Sequence, residues 1–221
     1  MDTTSPPRVD VVLPCLNEAA ALPWVLQRMP PWARPIVADN GSTDVSVQLA
    51  IDLGAEVVQV RKRGYGSACH AGLLAASAPL VAFMDADGSL DPGDLARLLA
   101  AHLGDKQLVV GRRVPVDRQA WAWHLRFANR ALSHRLRCAC GVRLQDVGPM
   151  RLADRESLVA LPITDRRSGY PVETVLRAAQ AGWSVTPVDV PYQARVGRSK
   201  VTGTPLGAAR AVLDMSRVLS S

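Results

Sequence analysis

The chain has 221 residues, of which 48% are apolar and 21% charged, with a formal net charge of +6. This length sustains a full hydrophobic core without a disulfide or metal staple, and the composition excludes disorder, collagen and coiled coil. No stretch reaches the ~20 apolar residues of a membrane span; the longest, Leu73 to Met84, is broken by Ser77 and Pro79 and then meets Asp85. From the N-terminus, Val9–Leu13 reads as a short strand and Ala19–Met29 as a helix stopped by Pro30-Pro31. Pro35–Asp39 predicts a second strand, Val45–Leu53 a second helix ending at Gly54, and Glu56–Val60 a third strand. Gly66–Ala76 predicts a helix, followed by Leu80–Met84, a strand that is apolar throughout, as a parallel sheet covered on both faces requires. Asp91 is positioned to cap the next helix, with Pro92 in its first turn. Leu108–Gly111 is a fifth strand. Ala120–Arg137 predicts an amphipathic helix with Trp121, Leu125, Ala128, Leu132 and Leu136 on one stripe, and Arg126, Asn129, Arg130, Ser133 and Arg137 on another face. A short helix near Asp154, a helix running to Ala181, a strand Val185–Val190 and a helix Pro205–Leu219 complete the chain. The alternation predicts an α/β domain with a mostly parallel sheet flanked by helices.

Residues 1–7 have neither a basic start nor an apolar core, so no secretory signal is expected and the cytoplasm is the expected compartment. The four cysteines, Cys15, Cys69, Cys138 and Cys140, contain no C-x-x-C pair and read as reduced packing residues. Charge is unevenly spread. Residues 1–60 carry three arginines against seven acids, whereas residues 112–151 carry nine arginines against Asp117 and Asp146. The basic middle points to an anionic partner: a phosphorylated small molecule, an anionic membrane surface touched peripherally, or a solvated face with no partner. An aromatic content of 5% without aromatic–basic interleaving argues against nucleic acid.

In an open parallel sheet, ligands bind beyond the C-terminal strand ends. Three polar clusters converge there: Pro14-Cys15-Leu16-Asn17-Glu18, Asp39-Asn40-Gly41-Ser42-Thr43-Asp44 and Asp85-Ala86-Asp87-Gly88-Ser89. Residues two apart on an extended segment point the same way. Asp85 and Asp87 are thus candidate oxygen ligands for Mg²⁺ or Mn²⁺, with open positions left for phosphate oxygens. If the substrate is a nucleotide-sugar, such a cation stabilises, as a Lewis acid, the charge that builds on the departing nucleoside diphosphate. Asp39 is positioned to accept from a base N–H, with Asn17 and Glu18 near the base or ribose. The segment Lys62-Arg63-Gly64-Tyr65-Gly66-Ser67-Ala68 half-matches a dinucleotide fingerprint, but Cys69 stands where the third glycine belongs. Gly64 and Gly66 still open a helix whose N–H groups can receive phosphate or sugar.

The ordered set Val11 to Glu18, Val37 to Asp44, Gly64 to Ala68 and Asp85-Ala86-Asp87 resembles glycosyltransferase family 2, in the bacterial branch similar to dolichyl-phosphate mannose synthase and polyprenyl-phosphate glycosyltransferases. Gly111-Arg112-Arg113, Asp146 to Arg151, Gly169 to Glu173 and Gly197-Arg198-Ser199-Lys200 extend it over residues ~9 to ~203. The resemblance implies a single GT-A domain, with a nucleotide-binding half over about 9–111 and an acceptor half over about 112–221, and inverting transfer from a nucleotide-sugar. It implies nucleoside contacts from Pro14, Asn17, Glu18 and Asp39, and a metal on Asp85 and Asp87. It also implies phosphate or acceptor contacts from Arg113, Arg126, Arg151, Arg195 and Lys200. Asp87-Gly88-Ser89 differs from the Asp-Leu-Gln of that branch, so one glutamine ligand is missing. A lipid monophosphate acceptor brings its own anionic oxygen and needs no base. A hydroxyl of a glycan or small molecule needs one, for which Asp146 and then Glu173 are the candidates. A sugar-nucleotide nucleotidyltransferase shares this architecture, but Pro14–Ala21 lacks the glycine and arginine of its usual loop.

Overall fold

The computed structural model describes residues 8–117, 123–197 and 205–219. Seven strands form one sheet in the order β3-β2-β1-β4-β6-β5-β7. They are β1 (Val9–Cys15), β2 (Ala33–Asp39), β3 (Glu56–Gln59), β4 (Leu80–Phe83), β5 (Gln107–Pro115), β6 (Arg151–Asp154) and β7 (Ser184–Tyr192). All neighbours run parallel except β6, which is antiparallel to both β4 and β5.

The central strands are buried on both faces, which explains the continuous apolar run of β4 and that of β1 after Asp10, a buried carboxylate paired with Arg34 at 2.8 Å. Alternation divides them. Val12, Ile36, Phe83 and Val110 pack on one side with α3 (Tyr65–Ala75) and α7 (Tyr170–Gln180). Val11, Leu13, Val37, Met84 and Val109 pack on the other with α1 (Leu22–Gln27), α2 (Ser46–Asp52) and α4 (Leu95–Ala101). The remaining helices are α5 (Trp123–Cys140), α6 (Arg155–Ala160) and α8 (Pro205–Val218), the last packing on α7 and α5. No helix of the described residues is long and apolar enough to cross a membrane.

Register levels the strand ends. Cys15 faces Asp39, and Val12 faces Phe83; continuing the second pairing sets Asp85 beside Pro14. The ends of β5 and β7 lie on the same rim, because both run parallel to β4.

Several elements differ from the expectation. The helix read from Ala19 begins only at Leu22, because Asn17 adopts a left-handed backbone (φ 56°) and residues 18–21 form turns. Asp91 caps a 3-10 turn, Pro92–Asp94, accepting from the Gly93 N–H at 2.9 Å. Asp154 caps α6 by accepting from the Ser157 N–H at 2.7 Å. β6 was not expected: four residues starting with a charged one give no alternation to detect. β5 and β7 run four and two residues past their expected ends, on polar and proline positions. In α5, Ser133 is buried rather than solvated, and Asn129 faces inward, donating to the Gln145 carbonyl at 3.1 Å. Cys15 and Cys69 are buried as expected, Cys138 is exposed, and all four are free thiols.

The segment leading into β6 lies hard against β5. A Cβ added at Gly148 would meet the Gly111 carbonyl oxygen at 1.7 Å, and the Gly111 N–H donates to the Met150 carbonyl at 2.8 Å. Backbone cannot yield cheaply there. Gly148→Ala should cost on the order of 1–3 kcal/mol, read as a lower urea midpoint, and should displace the Asp146 loop. An unchanged midpoint would show that the close approach has slack.

Candidate functional site

The rim is floored by two turns sewn together. Asp39 is 1% exposed and accepts from the N–H groups of Gly41 and Ser42, both at 3.1 Å. Asn17 Oδ1 accepts from the Thr43 N–H at 2.7 Å, while the Asn17 N–H donates to Ser42 Oγ at 2.9 Å. The Glu18 N–H donates to Ser46 Oγ at 2.9 Å. Pro14, Asn17, Glu18 and Asp39 therefore share one corner, beyond the ends of β1 and β2.

Asp85 and Asp87 follow β4. Burial, and then the charge of Asp87, raise the Asp85 pKa from the ordinary carboxylate value to about 6; Arg113, Tyr65 and Arg195 oppose the shift. Tyr65, at the start of α3, donates to Asp85 Oδ1 at 3.2 Å. Its own pKa is pushed up by burial and by Asp85, so it remains a donor. Asp87 Oδ1 accepts from the Ser89 N–H at 2.9 Å, and Asp87 Oδ2 lies 3.1 Å from Arg195 Nη2. Among the described residues no third histidine, cysteine or carboxylate joins them in a metal-ligating group. Two crowded carboxylates, their repulsion offset in part by Arg113 and Arg195, fit a hard divalent cation that draws its other oxygens from a ligand or water. A cleft of about 360 Å³, lined by Arg28, Ser89, Asp91 and Gln193 among others, takes in Ser89 of the turn that carries Asp87 but none of the candidate site residues.

Arg113 reaches the same rim from β5. Its Nε and Nη2 donate to Asp146 at 2.9 and 2.7 Å, and its N–H donates to Asp146 Oδ2 at 2.8 Å. Burial, the largest influence, would lower the Arg113 pKa; the charge and hydrogen bonds of Asp146, with Tyr192 and Asp85, together outweigh it and raise the pKa. The guanidinium also lies 5.3 Å from the centre of the Tyr192 ring. Tyr65 and Tyr192 were not singled out in the sequence. Tyr65 lies between the two glycines of a quoted motif, and Tyr192 at a strand end, which are the only signals that mark them.

Other expected site residues are placed differently. The Gly64 N–H donates to Asn40 Oδ1 at 2.7 Å, and those of Gly66 and Ser67 donate to the carbonyls of Arg167 and Arg166 at 3.0 and 2.9 Å. The first turn of α3 is thus occupied by protein and offers those N–H groups to no phosphate. Its glycines are there for contact: a Cβ at Gly64 would meet the Arg166 carbonyl oxygen at 2.2 Å. Glu173 is not at the rim as a free base. It accepts from the N–H groups of Thr164 and Asp165 at 3.0 and 2.6 Å and pairs with Arg177 at 3.3 Å, holding the loop that occupies α3. Asp146, 2% exposed, is taken up by Arg113. Arg151 is 0% exposed and cannot touch a ligand phosphate. It starts β6 opposite Phe83, with its guanidinium 5.1 Å from that ring's centre, and its three side-chain nitrogens have no hydrogen-bond partner among the described residues. Lys200 and the Arg126 side chain lie outside the described residues.

The glycosyl transferase family 2 model matches residues 10–161. The chain belongs to that family and is a glycosyltransferase. It is 49% identical over 213 residues to an uncharacterized glycosyltransferase of Mycobacterium tuberculosis strain H37Rv, covering 96% of this chain and 98% of the other. It is 31% identical over 229 residues to an undecaprenyl-phosphate mannosyltransferase of Micrococcus luteus, covering 95% and 93%. Among solved structures it resembles glucosyl-3-phosphoglycerate synthase of M. tuberculosis, in complex with Mn²⁺, UDP-glucose and phosphoglyceric acid. That match has a TM-score of 0.75 and 25% identity, covering 98% of this chain and 80% of that one. The fold is GT-A.

The raised Asp85 pKa has a consequence for stability. Ionised Asp85 destabilises the metal-free fold at neutral pH, and this cost disappears as pH falls from about 6 toward the unfolded carboxylate value near 4. Asp85→Asn should therefore raise Tm in EDTA at pH 7.5 by several degrees and raise it much less at pH 4.5. An equal gain at both pH values would mean that the charge is not the cause.

Proposed function

We propose that the protein transfers a sugar, with inversion, from a nucleotide-sugar to a polyprenyl-type phosphate, using Mg²⁺ or Mn²⁺ at Asp85 and Asp87. The observation that carries the acceptor choice is the engagement of both candidate bases. Asp146 is fixed by three donors from Arg113, and Glu173 by a loop. A phosphate monoester, with a second pKa of about 6, presents an anionic oxygen that needs no base. Relatives named for undecaprenyl-phosphate and polyprenol chemistry support this reading. The phosphoglycerate complex of the structural neighbour supports the broader class of phosphate-bearing acceptors.

In this reading residues up to 111 hold the nucleotide and the remainder the acceptor, with Arg113 and Arg195 reaching back to the donor's phosphates. Pro14, Asn17, Glu18 and Asp39 line the nucleoside corner, with Asp39 receiving a base N–H alongside its own turn. The cation supplies Lewis-acid stabilisation of the departing diphosphate. Tyr65 orients Asp85 by donating to one carboxylate oxygen, leaving the other available. Asp146 holds Arg113 so that its fixed positive charge faces the space where phosphate charge develops. Gly64, Gly66, Glu173 and Arg151 support the site from behind. Arg126 and Lys200 are proposed as acceptor-phosphate contacts, with Arg195 on the donor side. The exposed arginines of α5, Arg130, Arg135 and Arg137, suit a peripheral contact with an anionic membrane carrying the acceptor.

The test is transfer from UDP- and GDP-hexoses with Mn²⁺ to a short-chain polyprenyl phosphate. Product should form, EDTA or Asp87→Ala should reduce the rate at least a hundredfold with the fold retained, and the rate should rise through pH 6 and then level. Transfer to 3-phosphoglycerate alone, with none to the lipid phosphate, would replace this acceptor with a small hydroxyl-bearing one. Pyrophosphate release from a nucleoside triphosphate and a sugar phosphate would move the protein to the nucleotidyltransferases.

A further inference from the structure

Two arginines balance the acidic pair, and they are held in different ways. Arg113 is locked by a bidentate pair and a backbone hydrogen bond on Asp146. Arg195 uses one nitrogen, Nη2, for two carboxylates: Asp87 Oδ2 at 3.1 Å and Glu18 Oε1 at 3.4 Å. Its Nε is buried with no hydrogen-bond partner among the described residues, so the planar fork is not matched to a carboxylate as Arg ordinarily prefers. Its backbone, by contrast, is pinned. The Gln193 N–H donates to the Ser89 carbonyl at 3.0 Å, Gln193 Nε2 to the Gly88 carbonyl at 2.7 Å, and the Val196 N–H to the Asp87 carbonyl at 2.9 Å. The anchor is fixed, while the side chain, 28% exposed, is held by two ion pairs that both fall on Nη2.

We propose that Arg195 is an exchangeable counter-ion: it neutralises Asp87 and Glu18 before substrate arrives, and a divalent cation with a nucleoside diphosphate displaces it from the carboxylate onto the diphosphate. This rests on the metal site proposed above and adds a coupling to it. Asp87 Oδ1 is committed to Ser89, and Oδ2 faces a cation already in place. A bare divalent ion must push aside a like charge that then keeps only its longer contact with Glu18 and solvent, so it binds weakly. A diphosphate gives the displaced guanidinium two phosphates to fork onto, so metal and nucleotide each tighten the other by the same factor. Arg195 thereby discourages occupation of the site by metal without substrate.

The test measures Mn²⁺ binding, by the loss of the free-ion paramagnetic resonance signal, to the full chain alone and with saturating UDP or GDP. Wild type should bind Mn²⁺ at least tenfold tighter with nucleotide. Arg195→Gln should bind Mn²⁺ alone at least tenfold tighter than wild type, bind nucleotide more weakly at saturating Mn²⁺, and lose most of the coupling. Arg195→Lys, which keeps the charge without the fork, should retain weak binding of bare Mn²⁺. Asp85→Asn is the control for the underlying site. If it abolishes Mn²⁺ binding while Arg195→Gln leaves bare-metal affinity unchanged or lower, the counter-ion is refuted and the metal site stands. If Asp85→Asn leaves binding intact, or no protein binds Mn²⁺ with or without nucleotide, both are refuted. Melting temperatures of each variant in EDTA confirm that it is folded.

Discussion

Two carboxylates at the end of β4 repel one another in a half-buried corner, and most of the surrounding structure answers that repulsion. Burial and the neighbouring charge raise Asp85. Tyr65 donates to it from one side, and Arg113 on β5 and Arg195 in the loop after β7 supply positive charge from far along the chain. Each contributor is itself fixed by something else. Tyr65 sits on a helix whose first N–H groups bond to a loop, and Glu173 holds that loop. Arg113 is fixed by Asp146, on a segment that can lie so close to β5 only because residue 148 has no side chain. These residues do not touch one another in sequence. They become one assembly because every piece limits the geometry of the acidic pair.

This arrangement separates residues that act from residues that position. A catalytic base must be able to take up a proton from a substrate at hydrogen-bond distance. Asp146 and Glu173 have the right functional group, yet their oxygens face an arginine fork and a loop backbone. The same distinction applies to cations. Arg113 and Arg195 border the acidic pair, whereas Arg151 is sealed behind it against an aromatic face, where removing its hydration is offset in part by the Phe83 ring.

The parallel half of the sheet was legible in the sequence for a definite reason. Strand β4 is an unbroken apolar run, and β1 and β2 are apolar from Val11 and Pro35 onward, past the paired Asp10 and Arg34, so the polar residues that stop each run mark the rim. Asp85, Asp87, Asn17 and Asp39 were placed at that rim in this way. The rest depended on contacts remote in sequence. Nothing local distinguishes a glycine that cradles phosphate from one that admits the Arg166 carbonyl, so Gly64 and Gly66 were assigned the wrong neighbour. β6 is short and starts with Arg151, so the antiparallel insertion was invisible, and with it the burial of that arginine. Tyr65 and Tyr192 gain their meaning only when helix and strand ends meet the acidic pair.

The order of these residues along the chain also has a consequence for biosynthesis. Translation delivers Asp85 and Asp87 before Arg113, and Arg195 emerges later still. Domains begin to assemble from their N-terminal end as they are made. A ribosome-bound intermediate containing only β1 to β4 therefore exposes an acidic edge that Arg113 and Arg195 cannot yet neutralise. Until the later segments dock, dissolved cations can screen that edge, and the nascent sheet closes its electrostatic balance last, at the candidate metal site.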